Sequence, residues 1–437
     1  MKVFIETLGC PKNFNDSEFA RGILEEAGHI VIDNPDEADA IMVNTCGFIN
    51  DAKVESIEHI FDYAEICGED KLLIVAGCLS ERYQDELAKE IPEADIFVGV
   101  NDYDNLPELL DNAVKGKQSM SFRPDYCDFY KPEKRRIADN SYTSTVKIAE
   151  GCNNICTYCA IPYIRGKYRS KKMEDIIKEA EMLAASGTKE LVVIAQDTTY
   201  YGMDLYGELK LAELLRKLCK VEGIRWIRLM YCYEEWITDE LITTIAEEEK
   251  ICNYIDIPIQ HSSDKILKMM NRRSTKASIM STIERLRKAV PDIHIRTTLI
   301  TGFPWERKEE FEDLYDFVLD TKFERLGVFA YSREEGTPAD KIKGHVRQDV
   351  KEKRRDNIMR IQNEISLEKN NEKIGSVQEV FVEGIDEDGS YYGRSRYDAP
   401  EIDNSVLFTS KNILKPGDFV NVKIIDAFDY DLVGEEI

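Results

Sequence analysis

The sequence predicts an α/β protein in three parts: an N-terminal open parallel α/β sheet, a central partial TIM-like β/α barrel and a small C-terminal antiparallel β-barrel. Three observations predict it. Over residues 1–115 short β-branched runs alternate with amphipathic helical stretches; from residue 144 the alternation resumes with longer helices; and residues 371–437 change to short alternating strands broken by Gly and Asp. A chain of 437 residues has room for about two to four domains. The expected boundaries are 1–125, 138–370 with a trailing helix, and 371–437.

In the first part, apolar runs at 2–7, 40–44, 72–76 and 96–98 read as strands, and 17–27, 52–66, 82–91 and 106–114 as helices. Parallel strands need long crossovers, which these helices supply. Residues 119–140 carry Pro124, Pro132 and a charge run from Lys131 to Arg136, and read as a linker or extended arm. Six β/α units follow, with strands at 145–149, 191–195, 226–230, 254–258, 294–300 and 326–331. The helices between and after them fall at 174–186, 209–220, 239–248, 276–290 and 308–320. A polar helix over 347–370 then leads to strands at 377–382, 391–396, 406–409 and 419–427, which suit a small barrel.

Hydrophobic residues at 43% and charged residues at 32% exclude a mainly disordered or collagen-like chain. With 58 Lys and Arg against 83 Asp and Glu, the net charge is −25. That acidity argues against a partner held through phosphates and for a basic one. The N-terminus lacks the basic and long apolar regions of a signal peptide, and no run reaches the ~18 apolar residues of a membrane span. A cytoplasmic protein with no membrane contact is expected. In that reducing setting the eleven cysteines read as ligands, catalysts or buried residues rather than disulfides.

Cys152, Cys156 and Cys159 form a C-x3-C-x2-C loop at the end of the first central strand, among Gly, Asn and Thr. Three thiolates on one loop suit three irons of a [4Fe–4S] cube and leave the fourth open. Zinc is a weaker reading, because a structural zinc site wants four closed ligands. Cys10, Cys46 and Cys78 occupy equivalent places at the ends of the first three N-terminal strands, beside Gly9, Gly47 and Gly77. The carboxyl ends of parallel strands form a ligand crevice, so these thiols would converge although far apart in sequence. The alternative for them is three buried small residues.

The central spacing, with Tyr158 in an aromatic slot before the last cysteine, resembles the radical S-adenosylmethionine (SAM) superfamily. The resemblance implies that the open iron takes SAM, whose cleavage yields a radical able to abstract hydrogen from an unactivated carbon. Thr7-Leu8-Gly9-Cys10-Pro11-Lys12-Asn13 with Asp16-Ser17-Glu18, Asn44-Thr45-Cys46-Gly47-Phe48-Ile49 and Gly77-Cys78-Leu79 resemble the methylthiotransferases over the whole chain. That family implies an N-terminal cluster domain, a radical SAM barrel and a C-terminal TRAM barrel. It also implies two [4Fe–4S] clusters, ligated by Cys10, Cys46 and Cys78 and by Cys152, Cys156 and Cys159, and two SAM molecules per turnover. With Tyr158, it suggests SAM contacts at Gln196, Asp197, Gln260, Arg296 and Gly302, in stretches expected at strand carboxyl ends. His261 reads as a pocket-lining residue; Trp305 stands where family members often have a small residue. Cys67, Cys127, Cys219, Cys232 and Cys252 match no motif and read as structural.

Two branches of the family differ in substrate: one methylthiolates adenosine in tRNA, the other the β-carbon of an aspartate in the small-subunit ribosomal protein S-twelve. Residues 371–437 hold fifteen Asp and Glu against six Lys and Arg, a net −9 that suits a basic ribosomal protein. Residues 393–403 also resemble the ribosomal-protein branch, and Glu401 and Asp403 are expected to steer that partner. A tRNA enzyme would need a basic path, for which Arg135-Arg136 and Arg272-Arg273 are the short candidates. The resemblance further implies an electron donor such as flavodoxin or ferredoxin and a sulfur donor; a monomer is expected.

Overall fold

The computed structural model describes residues 1–123, 129–137 and 141–437. Cys127, Pro124 and the expected boundaries at 125 and 138 lie outside the described residues. The chain forms two compact units, residues 1–139, 145–182 and 334–340 in one and 140–144, 183–333 and 341–437 in the other.

The first unit carries a six-stranded sheet in the order Ile30–Ile32, Lys2–Thr7, Ala40–Thr45, Leu72–Gly77, Ile96–Val98, Ser119–Ser121, with every pairing parallel. Ala40–Thr45 and Leu72–Gly77 are buried at every position, as expected of central strands covered on both faces. Their side chains alternate between two cores. Ala40, Met42, Ile74 and Ala76 pack on one side, and Ile41, Val43, Leu73 and Val75 on the other. The two edge strands, each three residues long, lie outside the expected set: Ile30–Ile32 is apolar throughout and Ser119–Ser121 holds one apolar residue. Ser119–Ser121 takes three residues from the expected linker.

The helix expected from residue 17 begins at Pro11 and runs to Glu26. Its first turn, Pro11-Lys12-Asn13-Phe14-Asn15, has weak helix formers, but Pro is favoured at a first helical position, where its missing N–H costs nothing. The expected arm is pinned to this helix. Arg135 is buried, its guanidinium donating to Glu18 Oε2 at 2.5 and 2.8 Å and to Glu179 Oε1 at 2.6 Å.

In the second unit the strands Glu190–Ile194, Trp226–Leu229, Ile251–Asp256, His294–Thr301 and Arg325–Ala330 lie side by side in chain order, all parallel. Thr143–Lys147 starts in this unit beside Glu190–Ile194, where the Ser144 and Thr188 hydroxyls meet at 2.9 Å. The sheet is open, so the central fold is a partial barrel. The helix Gln348–Asn371 packs on its last strand.

The C-terminal barrel is closed by five strands. The fifth, Leu432–Glu436, was not expected from its glycine- and acid-rich sequence. It pairs parallel with Val406–Thr409, so the barrel is not purely antiparallel as expected. Its seat on the sheet is apolar and ionic together. Trp226 packs on Phe381 and Phe419 at ring separations of 5.9 and 4.9 Å. Glu190 accepts from Arg228 at 2.8 Å and from Arg394 at 2.6 Å, and Arg325 donates to Asp398 at 2.5 and 3.0 Å. The Asp403 side chain is buried too, with Tyr254 donating to it at 2.7 Å and the Arg296 guanidinium ion-paired with it at 3.5 Å. The expected steering role of Asp403 is therefore corrected: its charge is spent inside the unit. Glu401 is exposed.

Candidate metal centre

The first triplet follows from strand register. Thr45 pairs with Gly77, so Cys46 and Cys78, each one residue further, leave neighbouring strands at the same level. Thr7 pairs with Asn44, and Cys10 follows three residues on, at the N-terminus of the Pro11–Glu26 helix. The loops lie so close that a Cβ on Gly9 would meet Cys46 Cβ at 2.8 Å, and one on Gly47 would meet the Cys78 carbonyl oxygen at 2.8 Å. Asn13 ties them together. Fully buried, it donates from Nδ2 to the carbonyls of Leu8 at 2.8 Å and Thr45 at 3.0 Å. Ser56 fixes the Cys46 backbone, accepting from its N–H at 3.0 Å and donating to its carbonyl at 3.1 Å.

The second triplet sits on the loop between the short antiparallel strands Ala149–Glu150 and Arg169–Ser170. The Cys152 N–H donates to the Gly166 carbonyl at 3.1 Å and the Cys159 N–H to the Cys156 carbonyl at 3.1 Å, which folds the loop back on itself. The Ala339 N–H donates to Thr157 O at 2.8 Å and supports it from the 334–340 segment. Cys152 and Cys156 are buried, and Cys159 and Tyr158 half-buried.

Arg165 joins the two triplets. It ends the Ile161–Arg165 helix, six residues beyond Cys159, and is 2% exposed. Its Nη2 donates to Asn13 Oδ1 at 2.9 Å and to Cys78 Sγ at 3.2 Å; its Nη1 donates to Asp16 Oδ2 at 2.6 Å and Glu150 Oε2 at 3.4 Å. Lys147 holds the same two carboxylates at 2.5 and 2.6 Å. The sequence reading quoted Asn13 and Asp16 within a motif but gave neither a role, and it missed Arg165 and Lys147. Only the position of Arg165 shortly after the triplet, before Gly166, hinted at it.

Both triplets fit iron–sulfur clusters by their chemistry. Each offers three sulfur donors. Burial pushes the Cys78 thiol up to about 12 against the opposing pull of Arg165, and burial also raises Cys46 and Cys159. Without metal, Cys46, Cys78 and Cys159 keep their protons, which an incoming cluster would displace. Among the described residues no three His, Cys, Asp or Glu side chains draw together around a single ion.

The expected SAM contacts other than Tyr158 belong to the second unit. Asp197 is buried and caps the turn Thr198–Tyr200, accepting from Tyr200 N–H at 3.2 Å and the Thr199 hydroxyl at 2.9 Å. Gln196 precedes it, just past the strand Glu190–Ile194. Gln260 holds φ at 71, a conformation few non-glycine residues adopt and one that concentrates at functional sites. Gly302 follows the last residue of His294–Thr301 at φ 73, with Lys351 so close that a Cβ would meet its Cγ at 2.2 Å. Arg296 is placed differently from expectation. It is third of eight residues in its strand, not at the carboxyl end, and its Nη1 donates to Asp256 at 3.1 Å beside the Asp403 pair. His261 is fully buried; its Nδ1 accepts from the Ser263 N–H at 2.9 Å. Trp305 is exposed at φ 65 and covers Gly344.

Three family models match: the radical SAM superfamily over residues 146–318, "Uncharacterized protein family UPF0004" over 2–99 and the TRAM domain over 374–437. The "Ribosomal protein uS12 methylthiotransferase RimO" of Acetivibrio thermocellus is 52% identical, covering 100% of this chain and 98% of the relative. The chain belongs to the RimO methylthiotransferase family. Proteins of the same name from Clostridioides difficile and Caldanaerobacter subterraneus are 51% and 50% identical over at least 99% of the chain. Membership makes the chain a radical SAM methylthiotransferase with an iron–sulfur cluster and SAM as cofactors. The radical SAM methyltransferase TsrM of Kitasatospora setae shares the fold at TM-score 0.57 and 13% identity, over 86% of this chain and 80% of its own. No helix among the described residues is long and apolar enough to cross a membrane.

Proposed function

We propose that this chain inserts a methylthio group at the β-carbon of an aspartate in ribosomal protein uS12, using two [4Fe–4S] clusters and two SAM molecules. The observation that carries the reading is the presence of two cysteine triplets in one compact unit, Cys10, Cys46 and Cys78 on strand ends and Cys152, Cys156 and Cys159 on one loop. When bound, SAM and the adjacent cluster supply the one-electron chemistry that removes a hydrogen from an unactivated carbon. The chain's own residues bury Cys46, Cys78, Cys152 and Cys156, hold the loops through Asn13 and Ser56, and place the Arg165 charge at Cys78.

Tyr158, Gln196, Asp197, Gln260, Arg296 and Gly302 are proposed to contact SAM, with Arg296 tied to Asp256 at 3.1 Å. Domain limits at 1–125, 138–370 and 371–437, a cytoplasmic monomer, a flavodoxin or ferredoxin as reductant and a separate sulfur donor complete the reading. The tRNA alternative is not favoured. Arg135 and Arg272, half of its expected basic path, are buried, Arg135 beside Glu18 and Glu179 and Arg272 3.2 Å from Glu234.

The test is mass spectrometry of uS12 from cells with and without the gene. One added SCH3 group on an aspartate, present only with the gene, is expected; an unmodified uS12 together with gene-dependent methylthioadenosine in tRNA would overturn the assignment. For the cofactors, replacing Cys152, Cys156 and Cys159 by Ala should remove half of the iron and all SAM cleavage. Replacing Cys10, Cys46 and Cys78 should remove the other half and spare some cleavage. One cluster's worth of iron in fully reconstituted wild type would sink the two-cluster reading.

A further inference from the structure

We propose that Arg165 is a positioning residue that fixes the Cys78 sulfur and raises the reduction potential of the cluster held by Cys10, Cys46 and Cys78. The argument starts from the two edges of its guanidinium. One edge, Nη1, is anchored on Asp16 and Glu150; the other, Nη2, reaches the Asn13 amide oxygen and the Cys78 sulfur. A planar fork does both at once, whereas an ammonium is a single point of charge on a flexible stem. Lys147 already pairs with the same carboxylates, so the four charges balance without help from Cys78. Neutralising Asp16 and Glu150 therefore does not by itself explain why a guanidinium nitrogen is spent on a sulfur.

Its setting makes the contact strong. Cys78 lies with Val100, Ala160 and Ile164 in an apolar cluster, where the field of a nearby cation is little screened. Hydrogen bonds to a ligating sulfur and nearby positive charge favour the reduced, more negative cluster, and such groups are levers on its potential. Arg165 sits on the chain next to the Cys152–Cys159 loop, yet it touches the ligand of the other triplet. The residue therefore gives the two clusters unequal surroundings.

The inference rests on the two-cluster reading, so its test isolates one cluster. In the full-length chain carrying Cys152→Ala, Cys156→Ala and Cys159→Ala, the remaining cluster is titrated with reductant and followed by electron paramagnetic resonance, with Arg165 intact, as Arg165→Lys and as Arg165→Gln. The midpoint should fall in Arg165→Gln and fall less in Arg165→Lys, with a changed resonance line shape. A merely structural role would lower iron content while leaving the midpoint of the loaded fraction where it was, and that result overturns the proposal. If Arg165→Gln holds no iron, Arg165→Lys decides: a lowered midpoint supports the proposal and an unchanged one overturns it. If the parent variant holds no cluster, the two-cluster reading fails and the inference falls with it.

Discussion

Gly77 shows how tightly single positions constrain the metal centre. Its φ of 92 favours glycine, and a Cβ there would stand 2.7 Å from the Thr45 carbonyl oxygen and 2.3 Å from Asn44 Oδ1. Gly77→Ala should destabilise the first unit by about 1–3 kcal/mol, from backbone strain and a clash with a buried strand. It should also displace Cys78, the next residue. The measurement is iron content beside a denaturant curve of the metal-free protein; a full complement of iron at wild-type stability would contradict the geometry. At this scale the meeting of the loops that carry Cys10, Cys46 and Cys78 was legible in the sequence, because each of these cysteines follows an apolar run and strand ends share one crevice. Arg165 was not. Its partners Asn13, Asp16 and Cys78 lie at least 87 positions away, and no local pattern encodes such a meeting.

Helices and strands were legible wherever burial was continuous, as in Leu72–Gly77, and illegible at the three-residue edge strands, only half-buried or exposed, and at Leu432–Glu436, where two apolar residues mark the strand. The joints between elements were illegible for a different reason: they are ionic. Glu190 begins the strand Glu190–Ile194 and carries the sheet's joint to the C-terminal barrel. Burial alone would raise its pKa, but Arg394 and Arg228 hold it down to about 2. A carboxylate whose folded pKa lies below its unfolded value stabilises fully above the latter. The contribution, roughly 3 kcal/mol, should therefore be present above pH 4.5 and be lost as pH falls from 4.5 toward about 2. Glu190→Gln should cost about 3–5 kcal/mol at neutral pH, because it leaves the buried Arg228 guanidinium without a carboxylate and Arg394 with Glu383 alone, and it should flatten that acid limb. Urea unfolding at pH 7 and at about pH 3 checks both. An acid limb identical in wild type and variant would refute the assignment.

For the whole molecule the decisive quantity is charge. A net −25 on the chain, meeting a basic ribosomal protein, should accelerate encounter through long-range attraction. Net charge alone does not say which acids act, and the sequence reading chose one wrongly. Asp398 and Asp403 neutralise arginines inside the second unit, so reversing either would break packing and confound a binding experiment. Asp386, Glu387 and Asp388 form an exposed tip on the same barrel, between Val377–Ile385 and Tyr391–Ser395. Reversing Glu387 and Asp388 to Lys should change stability by less than about 0.5 kcal/mol, as surface substitutions do. It should slow association with the purified ribosomal protein more than it speeds dissociation, the pattern of electrostatic steering. The difference should fade as salt rises, since exposed charges are screened over about 8–10 Å near physiological ionic strength. Stopped-flow association at two salt concentrations measures this. An association rate that ignores both the reversal and the salt would show that this tip only keeps the protein hydrated, and that the substrate docks elsewhere.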